Sequence, residues 1–154
     1  MECINDNMQK YHNYKEQMER LKKALNNNFY LEAIFIEYAV IEDRLESILR
    51  HAAKEWKDKN DRPFSITKKI RSVKELTGNK KSIEHRYFSD ELLDGVIIWK
   101  EKRNKLIHAL LKQDLHTEDL ESCAIEGQLL VKKLCSKSTS YKRMLDKMEV
   151  KNNG

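Results

Sequence analysis

The chain has 154 residues, of which 36% are charged and 40% hydrophobic, and its formal net charge is +5. It contains only four Gly and one Pro, and so few helix breakers among so many charged residues favour long helices and short loops. An all-β or doubly wound fold would need more turn residues and more β-branched runs. We therefore expect one domain over residues 1–154, an all-α, up-and-down bundle of four to five helices.

Hydrophobic residues at helical spacing predict the first three helices. The first covers about 6–26, and the Asn26–Asn28 run supplies a turn and a cap for the second. The second helix has a regular apolar stripe and is predicted to continue to about residue 57, before the break at Pro63. A short third helix is expected over roughly 65–77.

The remainder of the chain is predicted to contain two more helices. Residues 80–88 are expected to form a loop, after which Ser89 caps a fourth helix that reaches about Lys112. Thr117 is expected to cap the fifth helix. The helical core then covers about 6–135, and the basic tail, about 137–154, is expected to be frayed or loosely helical.

Cysteine usage and hydropathy bear on the compartment. Cys3, Cys123 and Cys135 cannot all pair and show no CxxC spacing, so we expect reduced thiols. The N-terminal residues lack the basic-then-apolar pattern of a signal peptide, and no apolar run approaches the about 20 residues needed to cross a bilayer. These features predict a cytoplasmic protein without a membrane partner.

The charge is unevenly distributed along the chain. Residues 54–81 carry ten Lys and Arg against four acids, whereas 114–126 carry five acids and no Lys or Arg. Blocks of opposite sign can complement each other within a fold or across a dimer. The basic block can instead attract a polyanion such as RNA, or simply form a solvated helix face.

One cation interrupts the apolar face of the fourth helix. At about 100° per residue, a single stripe is formed by Leu92, Val96, Trp99, Leu106, Ile107 and Leu110. Arg103 lies in the middle of this stripe, and Asn104 and His108 lie four residues apart on its flank. Because an unpaired buried Arg is costly, the face near Arg103 either meets a carboxylate or opens onto a cleft that holds an anion.

The structural alternative is that Arg103 pairs with Glu37 or Glu42 of the second helix. His108 would then be an ordinary half-buried histidine.

Residues 103–108, Arg-Asn-Lys-Leu-Ile-His, resemble the Arg-polar-three-to-five-His signature of HEPN domains, including the Asn that such ribonucleases often carry after the Arg. The similarity in helical pattern covers roughly 6–135, whereas the motif itself is short. Arg44 through His51 also fits the bare spacing. The second helix shows no comparable break in its apolar stripe, so we favour the Arg103 site.

The resemblance implies a site formed where two copies of the motif face each other across a homodimer. It also implies a toxin or phage-defence endoribonuclease, with RNA as substrate and a cognate antitoxin or defence partner. One feature departs from the family. HEPN toxins that are controlled by a nucleotidyltransferase antitoxin usually carry a Tyr two residues after the His, where this chain has Leu110. That regulatory pairing is therefore in doubt.

The residue types suggest roles in RNA cleavage by 2′-hydroxyl attack. His108 can act as general base or acid, and Arg103 can bind the phosphate and stabilise the transition state. Asn104 would orient His108 or donate to a phosphate oxygen. The RNA backbone would be guided by Lys100, Lys102 and Lys105. We expect no metal and no other cofactor, since no ligand cluster is apparent.

Two other functions remain open. The chain could be a HEPN-like helical module that binds or assembles without catalysis. It could also be a basic RNA-binding subunit, in which case salt-dependent RNA retention would follow Lys68, Lys69 and Arg71.

Overall fold

The computed structural model describes residues 7–112 and 114–154. Within these ranges the fold is all-helical, with a single isolated β-bridge between Lys57 and Pro63. The all-α prediction is confirmed, but these ranges hold six helices rather than four to five. They are α1 (Asn7–Asn26), α2 (Tyr30–His51), α3 (Ile66–Thr77), α4 (Ile83–Tyr87), α5 (Asp90–Ala109) and α6 (Thr117–Asn152).

Helix α2 is central to the fold. It packs against α1, α3 and α6, while α5 packs against α3 and α6. The apolar stripe of α2 is fully buried at Ile34, Ile41, Leu45 and Ile48, as its spacing predicts. These contacts place the N-terminal half of α2 beside the region where α5 meets α6.

Helix α2 ends earlier than predicted because of a left-handed residue that is not glycine. Ala53 has a φ of 53°. The backbone N–H of Lys54 donates to the Leu49 carbonyl at 2.8 Å, and that of Ala53 donates to the Arg50 carbonyl at 3.1 Å. This pair of bonds is a Schellman C-cap. Because the cap uses Ala instead of Gly, the sequence offers no stop signal before residue 57.

The predicted helix caps are right in part. The Ser89 hydroxyl accepts from the Leu92 N–H at 3.2 Å, as expected. Asn28 forms the predicted turn, with a φ of 62°, but Phe29 occupies the N-cap of α2 without a side-chain bond. The prediction for Thr117 is wrong, because Thr117 is already helical and His116 takes the N-cap position of α6.

Residues 80–88 and the segment after 137 are more regular than predicted. The expected loop over 80–88 contains α4, capped by Ser82, and the tail after 137, expected to be frayed or loosely helical, belongs to α6. Tyr141 is buried and connects the two segments. Its hydroxyl donates to Glu84 Oε1 at 2.9 Å and its ring lies 5.3 Å from that of Phe88. The C-terminal third of α6 is therefore anchored on α4.

The described cysteines are free thiols, with Cys123 buried and Cys135 half-buried. Burial raises the pKa of the Cys123 thiol to about 11, which keeps it protonated and weakly reactive. Cys3 lies outside the described residues. In the described ranges, none of the helices combines the length and apolar character that a membrane span requires.

Candidate active site

The two halves of α5 lie in different environments. The first half contributes Leu92, Leu93, Val96 and Trp99 to the core. From Arg103 to the end of the helix no residue is fully buried, and Leu111, just beyond it, is 100% exposed. The apolar stripe therefore leaves the core after Trp99. Within the described chain, the second half of α5 lacks full cover.

Arg103 is half-buried against two aromatic rings of α2. Its guanidinium carbon lies 4.2 Å from the centroid of the Tyr38 ring and 5.3 Å from that of Phe35. One terminal nitrogen donates to Asn104 Oδ1 at 3.0 Å. Its Nε is buried without a hydrogen-bond partner among the described residues. Cation–π contacts thus hold the side chain, but no described carboxylate neutralises it.

Neither Glu37 nor Glu42 pairs with Arg103, so the structural alternative is not supported. Glu42 accepts from Lys69 instead, at 3.4 Å. Glu37 is completely buried, and both of its carboxylate oxygens lack a hydrogen-bond partner in the described chain. Burial raises the pKa of Glu37 to about 9. At neutral pH Glu37 is therefore an uncharged acid and leaves the charge of Arg103 uncompensated.

His108 and Asn104 occupy different surroundings. His108 is exposed in the last turn of α5, and its imidazole makes no hydrogen bond with the described residues. Asn104 is half-buried, and its side-chain oxygen accepts from Arg103. Asn104 therefore orients Arg103 and not His108, while its amide nitrogen remains able to donate to an anion.

Only one of the three candidate RNA-guiding lysines is free within the described chain. Lys100 Nζ donates to Thr67 Oγ1 at 3.0 Å. Lys102 Nζ forms an ion pair with Glu126 at 2.8 Å and donates to Ser122 at 3.0 Å. Lys105 is exposed and unpaired. Lys100 and Lys102 thus connect α5 to α3 and α6, which the sequence could not show.

The basic segment 54–81 is also less available than its sequence suggests. Lys69 is 1% exposed, and its Nζ lies 3.0 Å from Glu46 Oε2 and 3.4 Å from Glu42 Oε1. It stabilises the contact between α2 and α3. Lys69 is therefore buried away from solvent, whereas Lys68 and Arg71 are exposed.

The rival motif match, Arg44 and His51, lies on α2 with both side chains lining one groove. They are seven residues apart, which places them on the same helix face. Arg44 donates to Asp43 at 2.5 Å and its Nε is buried without a partner among the described residues. The sequence reading missed this groove because these residues flank the apolar stripe of α2 without interrupting it. Their seven-residue spacing was the signal available.

A metal site is not apparent in the described ranges, which contain no group of three His, Cys, Asp or Glu side chains able to hold an ion. The His85 ring contacts a backbone oxygen instead of other possible metal ligands: its Nδ1 lies 2.9 Å from the Thr77 carbonyl oxygen.

No protein-family model, curated protein or solved structure gives a significant match to this chain. The resemblance to HEPN domains therefore rests on the motif at 103–108 and on the helical pattern.

Proposed function

We propose that this chain is a metal-independent endoribonuclease of the HEPN type. The observation that carries the proposal is the state of Arg103: a half-buried cation, fixed by two aromatic rings and Asn104, with no carboxylate partner among the described residues. A guanidinium fixed in this way is prepared to bind a phosphate.

The chemistry assigns a role to each motif residue. His108 removes the proton from an RNA 2′-hydroxyl, or protonates the leaving 5′-oxygen. The 2′-oxygen then attacks the adjacent phosphorus, giving a 2′,3′-cyclic phosphate and a 5′-hydroxyl. Arg103 stabilises the charge that develops on the phosphoryl oxygens, and the amide nitrogen of Asn104 donates to one of them. Lys105 attracts the backbone.

A second copy of the chain completes this site. Arg103 and His108 point about 140° apart on a straight helix, so one copy does not direct both side chains at one phosphate. Two copies of α5 related by a two-fold axis bring Arg103 of each near His108 of the other. The incompletely covered second half of α5 supports this arrangement.

The biological setting follows from the resemblance. Host or phage RNA is the proposed substrate class, in a toxin or defence system with a cognate partner. The free thiols Cys123 and Cys135 suit a reducing, cytoplasmic compartment. The first alternative is a non-catalytic HEPN-like binding or assembly module. The second is a basic RNA-binding subunit, for which the burial of Lys69 removes one of the three residues that would carry it.

The experiment measures RNA cleavage by the purified chain in EDTA and compares the wild type with variants of Arg103 and of three histidines. We expect His108→Ala to slow cleavage by about 10²–10⁴-fold while the oligomeric state is unchanged. Arg103→Ala should cost about 10²–10³-fold, as removing a transition-state donor does. His12→Ala, an exposed histidine on α1, is the matched control.

His51→Ala tests the rival motif. If that variant loses cleavage while His108→Ala retains it, the active site has been assigned to the wrong helix. Absence of cleavage by the wild-type chain on all RNAs tested, with dimerisation intact, would favour the non-catalytic module.

A further inference from the structure

A basic groove lies among α1, α2 and the C-terminal half of α6. Its volume is about 720 Å³. Five of its lining side chains are basic, and none of its described lining residues is acidic. These basic residues are Lys10, Arg44, Arg50, His51 and Lys142. The groove is separate from Arg103, since its α2 residues lie in the C-terminal half of that helix.

The remaining lining residues suit a phosphate backbone. Hydroxyl groups come from Ser47, Ser138 and Thr139, and two tyrosines, Tyr11 and Tyr14, lie on the α1 side. The Tyr11 side chain is 59% exposed. Hydroxyls donate to phosphate oxygens, and an exposed aromatic ring provides a surface on which an unpaired base can stack.

Three cations of the groove are positioned by carboxylates that do not line it. Asp43 pairs with Lys10 at 3.4 Å and with Arg44 at 2.5 Å. Glu46 pairs with Arg50 at 2.7 Å, and the Arg50 guanidinium lies 3.9 Å from the centroid of the Trp56 ring. Neither carboxylate lines the groove. They orient these three cations and offset part of their charge.

Unsatisfied donors remain within the groove. The buried Nε of Arg44 has no acceptor among the described residues. Lys142 is exposed and has no ion-pair partner in the described chain. The Nδ1 of His51 lies 2.7 Å from the Ser47 carbonyl oxygen. Because a carbonyl can only accept, Nδ1 carries the proton, and Nε2 donates to a phosphate oxygen only when the ring is doubly protonated.

We infer that this groove binds the phosphate backbone of single-stranded RNA at a distance from the cleaved bond. The inference rests on the proposed function, because it assigns to the same substrate a second contact surface. Basic side chains beside an exposed aromatic ring form the usual surface for unpaired nucleic acid. Stacked bases would lie on Tyr11, and phosphates would contact Arg44, His51 and Lys142.

The test compares two lysines of α6. Lys142 lines the groove, whereas Lys133 is also exposed but lies nine residues away, on the opposite face of the helix at about 180°. Binding is measured by fluorescence anisotropy with a labelled 2′-O-methyl RNA oligonucleotide, which cannot be cleaved by 2′-hydroxyl attack. We expect Lys142→Ala to weaken binding about fivefold and to lower the salt slope by about 1, with Lys133→Ala near wild type.

Equal losses in the two variants, or no loss in either, would overturn the inference, because binding would then follow overall charge or another surface. A competition arm with adenosine monophosphate distinguishes the ligand. Displacement of the RNA by the mononucleotide at equal phosphate concentration would show a nucleotide pocket instead of a backbone groove. This outcome is independent of cleavage, so a failure of the His108 assignment and a failure of the groove are separately visible.

Discussion

Glu37 and Arg103 illustrate how differently two ionisable side chains are accommodated between α2, α5 and α6. The guanidinium of Arg103 lies against the Tyr38 and Phe35 rings, and Asn104 accepts one of its hydrogens. Glu37 is sealed in the core without a hydrogen-bond partner among the described residues. It is therefore stable there only as a neutral acid.

Glu37→Gln is predicted to change how stability depends on pH. Burial raises the pKa of Glu37 from its ordinary value of 4.5 to about 9, so the folded state binds an extra proton between these values. The wild-type chain then loses stability as pH rises through this window. Glutamine does not titrate in this range. The free energy of unfolding of the variant, relative to that of the wild type, should therefore rise by up to about 4 kcal/mol over three pH units.

Urea denaturation at about pH 5.5 and pH 8.5 measures this effect. Glu101→Gln, at an exposed position of α5, is the matched control and should follow the wild-type curve. Parallel pH curves for wild type and Glu37→Gln would show that Glu37 is not held neutral in the core.

At the level of elements, the close approach of α2 and α5 to α6 depends on one glycine. A Cβ at Gly127 would lie 2.8 Å from the Trp99 ring atom Cζ2 and closer still to Glu37 Oε1. The Trp99 indole also donates to the Cys123 carbonyl at 2.8 Å. The absence of a side chain at Gly127 thus lets three helices approach closely, and the side chains of Glu37 and Trp99 occupy the space that a Cβ would take.

Gly127→Ala is predicted to reverse the usual sign of a helical Gly→Ala substitution. Such a change ordinarily stabilises by about 0.5–1 kcal/mol. At Gly127 the added methyl group overlaps buried neighbours, and overpacking of this kind costs about 1–3 kcal/mol. Gly95→Ala is the matched control, because its Cβ would meet Leu130 Cδ2 at an ordinary 3.4 Å.

Thermal or urea unfolding of the two variants provides the comparison. If Gly127→Ala gained as much stability as Gly95→Ala, the contact at the three-helix junction would be looser than described.

At the scale of the whole molecule, an apolar surface is exposed at the C-terminal end of α5. Leu106, Ile107 and Leu110 are half-buried there, and Leu111 is fully exposed. This surface lies beside Arg103 and His108, so a second copy that covers it would complete the proposed active site in the same step. Dimerisation and cleavage are therefore expected to be lost together.

Leu111→Glu is predicted to convert the proposed dimer to a monomer and to abolish the proposed RNA cleavage without unfolding the chain. A charge at this position opposes burial in an apolar interface. Because Leu111 is fully exposed, the substitution should not disturb the core of the monomer. Sedimentation velocity, circular dichroism and the cleavage assay measure the three properties. Val150→Glu, at a 74% exposed site near the end of α6, is the control.

A Leu111→Glu variant that remains dimeric would place the interface elsewhere on the molecule. A monomeric variant that still cleaves RNA would show that one copy suffices, which contradicts a composite site.

Periodicity and capping residues alone were enough to predict the helical class, the buried stripe of α2, the Ser89 cap and the position of Arg103 in an otherwise apolar helix face. These features depend on residues close together in the chain, for which periodicity and capping rules are sufficient. The same rules did not predict that Ala53 ends α2 or that Tyr141 orders the last third of α6. Both depend on backbone conformation or on partners distant in sequence.

The packing of the helices determines which charged side chains are available to a ligand. Lys69 and Lys102 look alike in the sequence to Lys105 and Lys142, yet the first two are paired with carboxylates from other helices and the last two are not. It also determines that Glu37 does not neutralise Arg103 and that Arg44 shares a groove with His51. Ion pairs and hydrogen bonds form only between atoms a few ångströms apart in space, and distance along the chain does not reveal which residues lie that close.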